Sequence, residues 1–399
     1  MTDRDFLILG GSHYQIPYIN AARKLGYRTI CFDMGYNPPA KSAADVFVQC
    51  NTSDKDRAVL LARNFEIAGV LAPATDIAVA TKARIDQALD LSGPTVTAAE
   101  ILTDKTGFRQ YRDDAGAPGP AWMSIDAQSC PACLPLQPPF IVKPNRSSGG
   151  RGARRIESLM DFQSAWHSWD APMRAMGALA ETWLDGIELS LEGFLRDGKF
   201  WFALITSRQT ACSPFVATAG HRWPAELKAD VANDVIATVE QICRQLGIVD
   251  GPVDADLIFT THPELLELSP RPGGNCLSQM VGAVFGIDYP ELVVRAALGE
   301  RPQGPEPQPR VGAGAIDILN SPEPSTLHYR ENLIRLQVEK LGIEMLEIDY
   351  ATGTRVPAFH SGRDRLGAIV TTGRDQQLAE DLIASVFSDL EWRLEGEDT

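Results

Sequence analysis

The chain has 399 residues, 44% of them apolar, and a formal net charge of −15. That length predicts two or three domains with ordinary cores. The acidic balance argues against a nucleic acid or an anionic membrane as the main partner, although a nucleotide can still enter a locally positive cleft.

Met1 leads through polar residues into the apolar Phe6 to Leu9, without the basic and long apolar regions of an export signal. With seven scattered cysteines this points to reduced thiols in the cytoplasm, and no apolar run reaches membrane-spanning length. The first hundred residues then alternate strands and helices. FLILGG is followed by a helix around Pro17 to Leu25, the strand YRTICFD, strands at Val46 to Val48 and Gly69 to Ala72, and helices around Ser53 to Phe65 and Asp76 to Leu89. This is the pattern of a parallel α/β domain. Gly10 and Gly11 occupy the first turn, but GxGxxG is missing, so Asp33 is weak support for a dinucleotide, and a Rossmann-like domain serving substrate or scaffold is expected.

A second region opens where Thr103 or Asp104 caps a helix ending near Gly116. The CxxC formed by Cys130 and Cys133 sits in a proline-rich stretch with no second pair, and the six histidines lack HExxH spacing, which disfavours a zinc or redox centre. PFIVKPNRSSGGRGA places Lys143 on a strand before a flexible loop, Ser147 to Gly152. The hydroxyls of Ser147 and Ser148 and the bare backbone at Gly149 and Gly150 suit phosphates. GxxxxGK[ST] is absent, which excludes a P-loop. In AETWLDGIELS, a backbone hinge could meet adenine while Glu188 accepts from ribose hydroxyls.

A third region starts near Glu188 and reaches two apolar runs, Val253 to Phe259 and Leu265 to Leu268, separated by Thr260, Thr261, His262 and Pro263. These read as an antiparallel hairpin. Alternation puts Asp254 and Asp256 on one face and lets Asp254 meet Glu267 across the pair. Two facing carboxylates repel unless a cation joins them, and magnesium suits a phosphate site. Arg271 adds a rigid positive fork. On this segment alone a solvated acidic hairpin is equally open. A proline-rich connection, Arg301 to Arg310, precedes a last α/β piece with a helix from Asp375 to Phe387.

The order Lys105, Lys143 with its glycine loop, Glu181 and Glu188, then Asp254, Glu267 and Arg271 resembles the ATP-grasp superfamily. The resemblance covers nearly the whole chain, since GGSHYQIPYINAARKLGYRTICFD resembles that family's N-terminal domain and TDKTGFRQYRDDAGAPGP its entry to the ATP-binding region. It implies a Rossmann-like domain over residues 1–100, a central ATP-binding lobe over 101–187, and a C-terminal lobe over 188–399 carrying the metal site and a closing α/β subdomain. ATP and Mg2+ are the implied cofactors. Lys105 and Lys143 would contact phosphates, and the Ser147 to Gly152 loop would close over them. Glu181, Leu184, Glu188 and Leu266 would hold adenine and ribose. Asp254, Glu267 and Ser269 would bind metal, Ser269 standing where the family commonly has Asn, and Glu267 and Arg271 would be catalytic.

Within the superfamily, SRQTACSPFVATAGHRWPAEL and ELSPRPGGN look most like carboxylate-amine ligases. That likeness implies an acyl phosphate, an amide product, and release of ADP and phosphate. The substrates would be a small acid and an amine of amino-acid type, contacted by Arg208, His221, Arg222, Gly273 and Gly274. A homodimer is compatible with the resemblance. Two alternatives stay open: a bicarbonate-activating enzyme with a similar N-terminal domain, and a nucleotide-binding regulator without turnover.

Overall fold

The computed structural model describes residues 4–126, 133–211 and 214–396. Strands β1 (Asp5–Leu9), β2 (Arg28–Asp33), β3 (Val46–Gln49) and β4 (Ile67–Leu71) form a parallel sheet in the order β3-β2-β1-β4. β1 and β4 are buried along their whole length, as strands covered on both faces must be, which is why, Asp5 apart, they read as continuous apolar runs. Buried Asp5 is tolerated because Arg28 on the neighbouring strand reaches it at 2.6 Å. The chain builds outward from β1 to β3, then returns to the other side of β1. That reversal opens a crevice beyond the carboxyl ends of β1 and β4, where Gly10, Gly11, Thr75 and Asp76 lie.

Two short helices lead out of this domain. Thr95 caps Val96–Leu102, and Asp104 caps Lys105–Asp114 by accepting from the Gly107 N–H at 2.9 Å. A four-stranded antiparallel sheet comes next, made of β5 (Trp122–Ile125), β6 (Phe140–Pro144), β7 (Arg154–Ile156) and β8 (Ala178–Thr182) in the order β5-β8-β6-β7. Of the CxxC pair, Cys133 is exposed and Cys130 lies outside the described residues.

An eight-stranded sheet dominates the rest. Its strands are β9 (Ile187–Arg196), β10 (Lys199–Thr210), β11 (Thr218–Trp223), β12 (Gly251–Phe259), β13 (Pro263–Ser269) and β14 (Ala313–Leu319). The last part of the chain adds β15 (Ser325–His328), β16 (Met345–Ile348), β17 (Arg355–Val356), β18 (Gly367–Gly373) and β19 (Arg393–Gly396). The large sheet runs β13-β12-β9-β10-β11-β14-β18-β16, while β17-β15-β19 make a small sheet of their own.

Alternation on β12 separates a core face from a cleft face. Val253, Ala255 and Leu257 are at most 1% exposed and pack with Val235, Val239 and Ile242 of the helix Ala229–Gln245. Val253 and Leu257 each contribute about 1.5–3 kcal/mol by burial, and the single methyl of Ala255 less. Sealing that face turns Asp254 and Asp256 to the other one, toward the cleft. A second core joins the N-terminal domain to the large sheet, with Phe6, Ile8 and Tyr18 against Phe285, Tyr289 and Val293. The Tyr18 and Ser278 hydroxyls meet across that boundary at 2.5 Å. Among the described residues, no helix is long and apolar enough to cross a membrane.

Candidate active site

The N-terminal parallel sheet, the four-stranded antiparallel sheet and the eight-stranded sheet border a cleft of about 1450 Å³. Lys105 and Lys143 enter it from different elements. Lys105 is the first residue of its helix, and that helix start is pinned by Asn145, which accepts from the Thr106 N–H at 2.9 Å and donates to Asp104 at 3.1 Å. Lys143 projects from β6. The Lys105 ammonium lies 3.0 Å from Glu267 and donates to the Ser147 carbonyl at 2.9 Å, while Lys143 lies 3.1 Å from Glu181 and 4.0 Å from Glu267.

Glu181 is 1% exposed. Burial would raise its pKa, but Arg109 and Lys143 hold it down to about 2, with both Arg109 Nε and Nη2 on the carboxylate. The Glu181 side chain is therefore spent on orienting a lysine. Any adenine contact in this segment falls to the backbone of residues 181–184, where Leu184 lines the cleft. Glu267 is likewise pushed up by burial and brought down to about 2 by Lys105, Lys143 and Arg109.

The hairpin register differs from the expected one. Asp256 stands opposite Glu267, and Asp254 stands opposite Ser269. Asp254 and Glu267 are diagonal neighbours instead of a facing pair. The cause is a bulge: Leu257 pairs with Leu265, the next rung pairs Asp256 with Glu267, and Leu266 is the extra residue. Asp254 is fastened to Arg271 at 2.7 Å, and Asp256 accepts from the Ser190 hydroxyl at 2.7 Å. Burial and the neighbouring Asp256 and Asp76 raise Asp254 above the usual carboxylate range against the pull of Arg271. Asp254, Asp256, Glu267 and the Ser269 hydroxyl thus offer oxygen donors on one face of the hairpin. By ligand type these are the hard oxygens magnesium takes, and here each carboxylate is held by a cation instead: Asp254 by Arg271 at 2.7 Å, Asp256 by Arg208 at 2.8 Å and Glu267 by Lys105 at 3.0 Å.

Of the expected substrate contacts, His221 and Gly274 line the cleft. His221 is 1% exposed; its Nδ1 lies 3.0 Å from the Thr206 hydroxyl, and its Nε2 is buried without a hydrogen-bond partner among the described residues. Burial, then the charges of Arg208 and Arg222, push it down to about 3, so the ring is neutral at pH 7. Arg222 does not line the cleft: alternation on β11 sends it onto Asp317 at 2.8 Å and Glu380 at 2.7 Å. Gly273 does not line it either, and its N–H donates to buried Glu192 at 2.8 Å. Arg208 does line it, but its guanidinium is divided between Glu188 and Asp256, each at 2.8 Å. That clamp leaves neither Arg208 nor Glu188 free without the other letting go.

The glycine loop joins β6 to β7, with Gly149, Gly150 and Gly152 at φ of 65°, 72° and 77°. At Gly150 a side chain is opposed twice, by the positive φ and because a Cβ there would lie 3.0 Å from the Ala217 Cα.

Three residues at the centre are not among the site residues expected from sequence. Arg109 stands one helical turn beyond Lys105, and that i, i+4 spacing is the available signal. Asp256 is expected on the correct face but not in the metal set. Asp76, beyond the end of β4, binds Arg271 at 2.5 Å and accepts from the Ser269 hydroxyl at 2.8 Å; its position at the switch point of a parallel sheet is the clue.

Residues 136–279 match the ATP-grasp domain, and residues 336–395 match the L-amino acid ligase C-terminal domain 2. A formate-dependent phosphoribosylglycinamide formyltransferase of Haemophilus ducreyi is 24% identical over 309 residues, 73% of this chain and 75% of that protein. A D-alanine--D-alanine ligase of Acidovorax ebreus is 29% identical over 219 residues, 51% of this chain and 65% of that one. The crystal structure of an L-amino acid ligase from Bacillus licheniformis aligns over 100% of both chains with a TM-score of 0.79 at 19% identity, a likeness of fold.

Proposed function

We propose that this chain, which carries an ATP-grasp domain, is an ATP-dependent ligase joining a small carboxylic acid to an amine, both of amino-acid type, through an acyl phosphate. The observation that supports this most is the convergence of Lys105 and Lys143 on Glu267 beside a glycine loop. These are two cations, one anionic metal donor and a bare backbone surface in a single cleft. Phosphoryl transfer needs positioning and charge neutralisation more than a protein nucleophile.

In this reading Lys105 and Lys143 leave Glu267 for the phosphates of ATP. Asp256, Glu267, Asp254 and Ser269 are the candidate holders of magnesium, which when bound neutralises phosphate charge. A carboxylate oxygen of the acid attacks the γ-phosphorus, the bond to the ADP oxygen breaks, and an acyl phosphate forms. The amine nitrogen then attacks the carbonyl carbon, the bond to the phosphate oxygen breaks, and the nitrogen loses its proton. Arg271, aimed by Asp76 and Asp254, is placed to hold the anionic acyl phosphate. The glycine loop keeps water from that intermediate.

Pairwise screening of amino acids with Mg-ATP for phosphate release tests the proposal. A productive pair should release ADP and phosphate together, and its acid alone with hydroxylamine should give a hydroxamate. ADP release supported by bicarbonate and by no amino-acid pair would overturn it.

A further inference from the structure

The glycine loop is tied to the far end of the chain. The Gly362 N–H donates to the Gly149 carbonyl at 3.0 Å. The turn that presents Gly362 is locked by Asp364, which accepts from the Ser361 N–H at 2.9 Å and from its hydroxyl at 3.1 Å. A second tie lies alongside, where the rings of Phe215 and His360 stack at 4.0 Å and the Arg154 guanidinium sits 4.7 Å from the same Phe215 ring.

At this junction two guanidiniums face the cleft, Arg151 at the end of the loop and Arg363 on the turn. Among the described residues neither makes an ion pair or a side-chain hydrogen bond. Every other arginine lining the cleft does: Arg109 with Glu181, Arg146 with Asp104, Arg208 with Glu188 and Asp256, Arg271 with Asp76 and Asp254, and Arg365 with Asp349. Arg151 is half-buried, and burial first, then the charge of Arg363, lowers its basicity, while Arg363 itself is exposed on its turn. The opposing charge near Arg151 is Asp170, whose carboxylate is engaged in capping a helix through the Met173 N–H at 2.7 Å. Two guanidiniums without ion pairs among the described residues, on segments tied by the Gly362–Gly149 hydrogen bond beside the glycine loop, suit a doubly charged anion, and a guanidinium fork matches phosphate oxygens.

We propose that Arg151 and Arg363 together bind the terminal phosphoryl group of ATP, so that the C-terminal subdomain supplies one arm of the phosphate site. This rests on the reading of the cleft as a nucleotide site. It means that loop and subdomain are joined twice, by the Gly362–Gly149 hydrogen bond and by the shared anion. ADP, lacking the terminal phosphate, should not engage the pair.

The test compares the affinities of Mg-ADP and of the Mg complex of the β,γ-imido analogue of ATP by calorimetry, in wild type, Arg151→Ala, Arg363→Ala and the double variant. Arg374→Ala, an exposed arginine outside the cleft, controls for net charge. Each cleft variant should bind the analogue about tenfold more weakly or worse, as loss of a charge-assisted hydrogen bond implies. ADP affinity should stay within about twofold, and Arg363→Lys should recover part of the loss. Equal weakening of both nucleotides, or no weakening of either, overturns the clamp while leaving the nucleotide reading intact. Failure of the wild type to bind either nucleotide would take both down.

Discussion

Glu267→Gln separates metal binding from phosphate binding. It keeps the shape of the side chain and removes a negative charge lying 3.0 Å from Lys105 and 4.0 Å from Lys143. At an effective dielectric of about 20, unit charges at those separations interact by about 4–6 kcal/mol. The Glu267 side chain is 35% exposed, so water and salt reduce the net effect on the lysines to about 1–2 kcal/mol. Freed lysines should therefore bind metal-free ATP about tenfold more tightly than in wild type. Magnesium should strengthen ATP binding in wild type and do so much less in the variant, whose ADP release should fall to background. Calorimetric titration of ATP in EDTA and again in magnesium, together with an ADP-release assay, reads all three. If magnesium helps the variant as much as wild type, and turnover stays near normal, Glu267 is not a metal donor and the hairpin is misassigned.

Arg109→Leu leaves buried Glu181 with Lys143 alone, and breaking a buried pair from one side costs about 3–5 kcal/mol; urea denaturation checks this, and a loss under about 1 kcal/mol would show that the pair does not anchor the site. His221 is held down to about 3 in the folded chain against about 6.5 unfolded. The unfolded state therefore binds the extra proton between those values, and stability falls as pH drops below about 6.5, by up to about 1.4 kcal/mol per unit. His221→Gln should remove that slope, so a wild-type-minus-variant stability difference that stays constant from pH 7 to pH 5 would contradict it. Gly150→Ala forces a side chain into a positive-φ position against Ala217; turnover should collapse with the melting temperature little changed, and unaltered turnover would remove the loop from the mechanism.

Much of this site is legible in the sequence because its parts are local. Lys143 with its serine-glycine loop, the Asp104 cap before Lys105, and the alternation placing Asp254 and Asp256 on one face each depend on neighbours within a few residues. What the sequence hides is non-local. The bulge at Leu266 moves the pairing of Glu267 onto Asp256, and nothing in two apolar runs signals one extra residue. The Asp76–Arg271 contact joins residues in different domains, and no spacing rule reaches that far. Arg222 departs from expectation for a related reason: it stands beside His221, but on a strand, adjacent side chains point to opposite faces. Arg208 is expected to await a substrate carboxylate, and the fold gives it two internal ones instead.

The acyl phosphate is the central claim, and isotope transfer tests it most directly. Once an acid and an amine that support turnover are in hand, the acid is labelled with oxygen-18 in its carboxylate and the released phosphate is analysed by mass. Formation and cleavage of an acyl phosphate must carry one labelled oxygen from the acid into each phosphate. Phosphate released with ADP but free of label would mean that the carboxylate never attacked phosphorus, and the proposed ligase mechanism would fail.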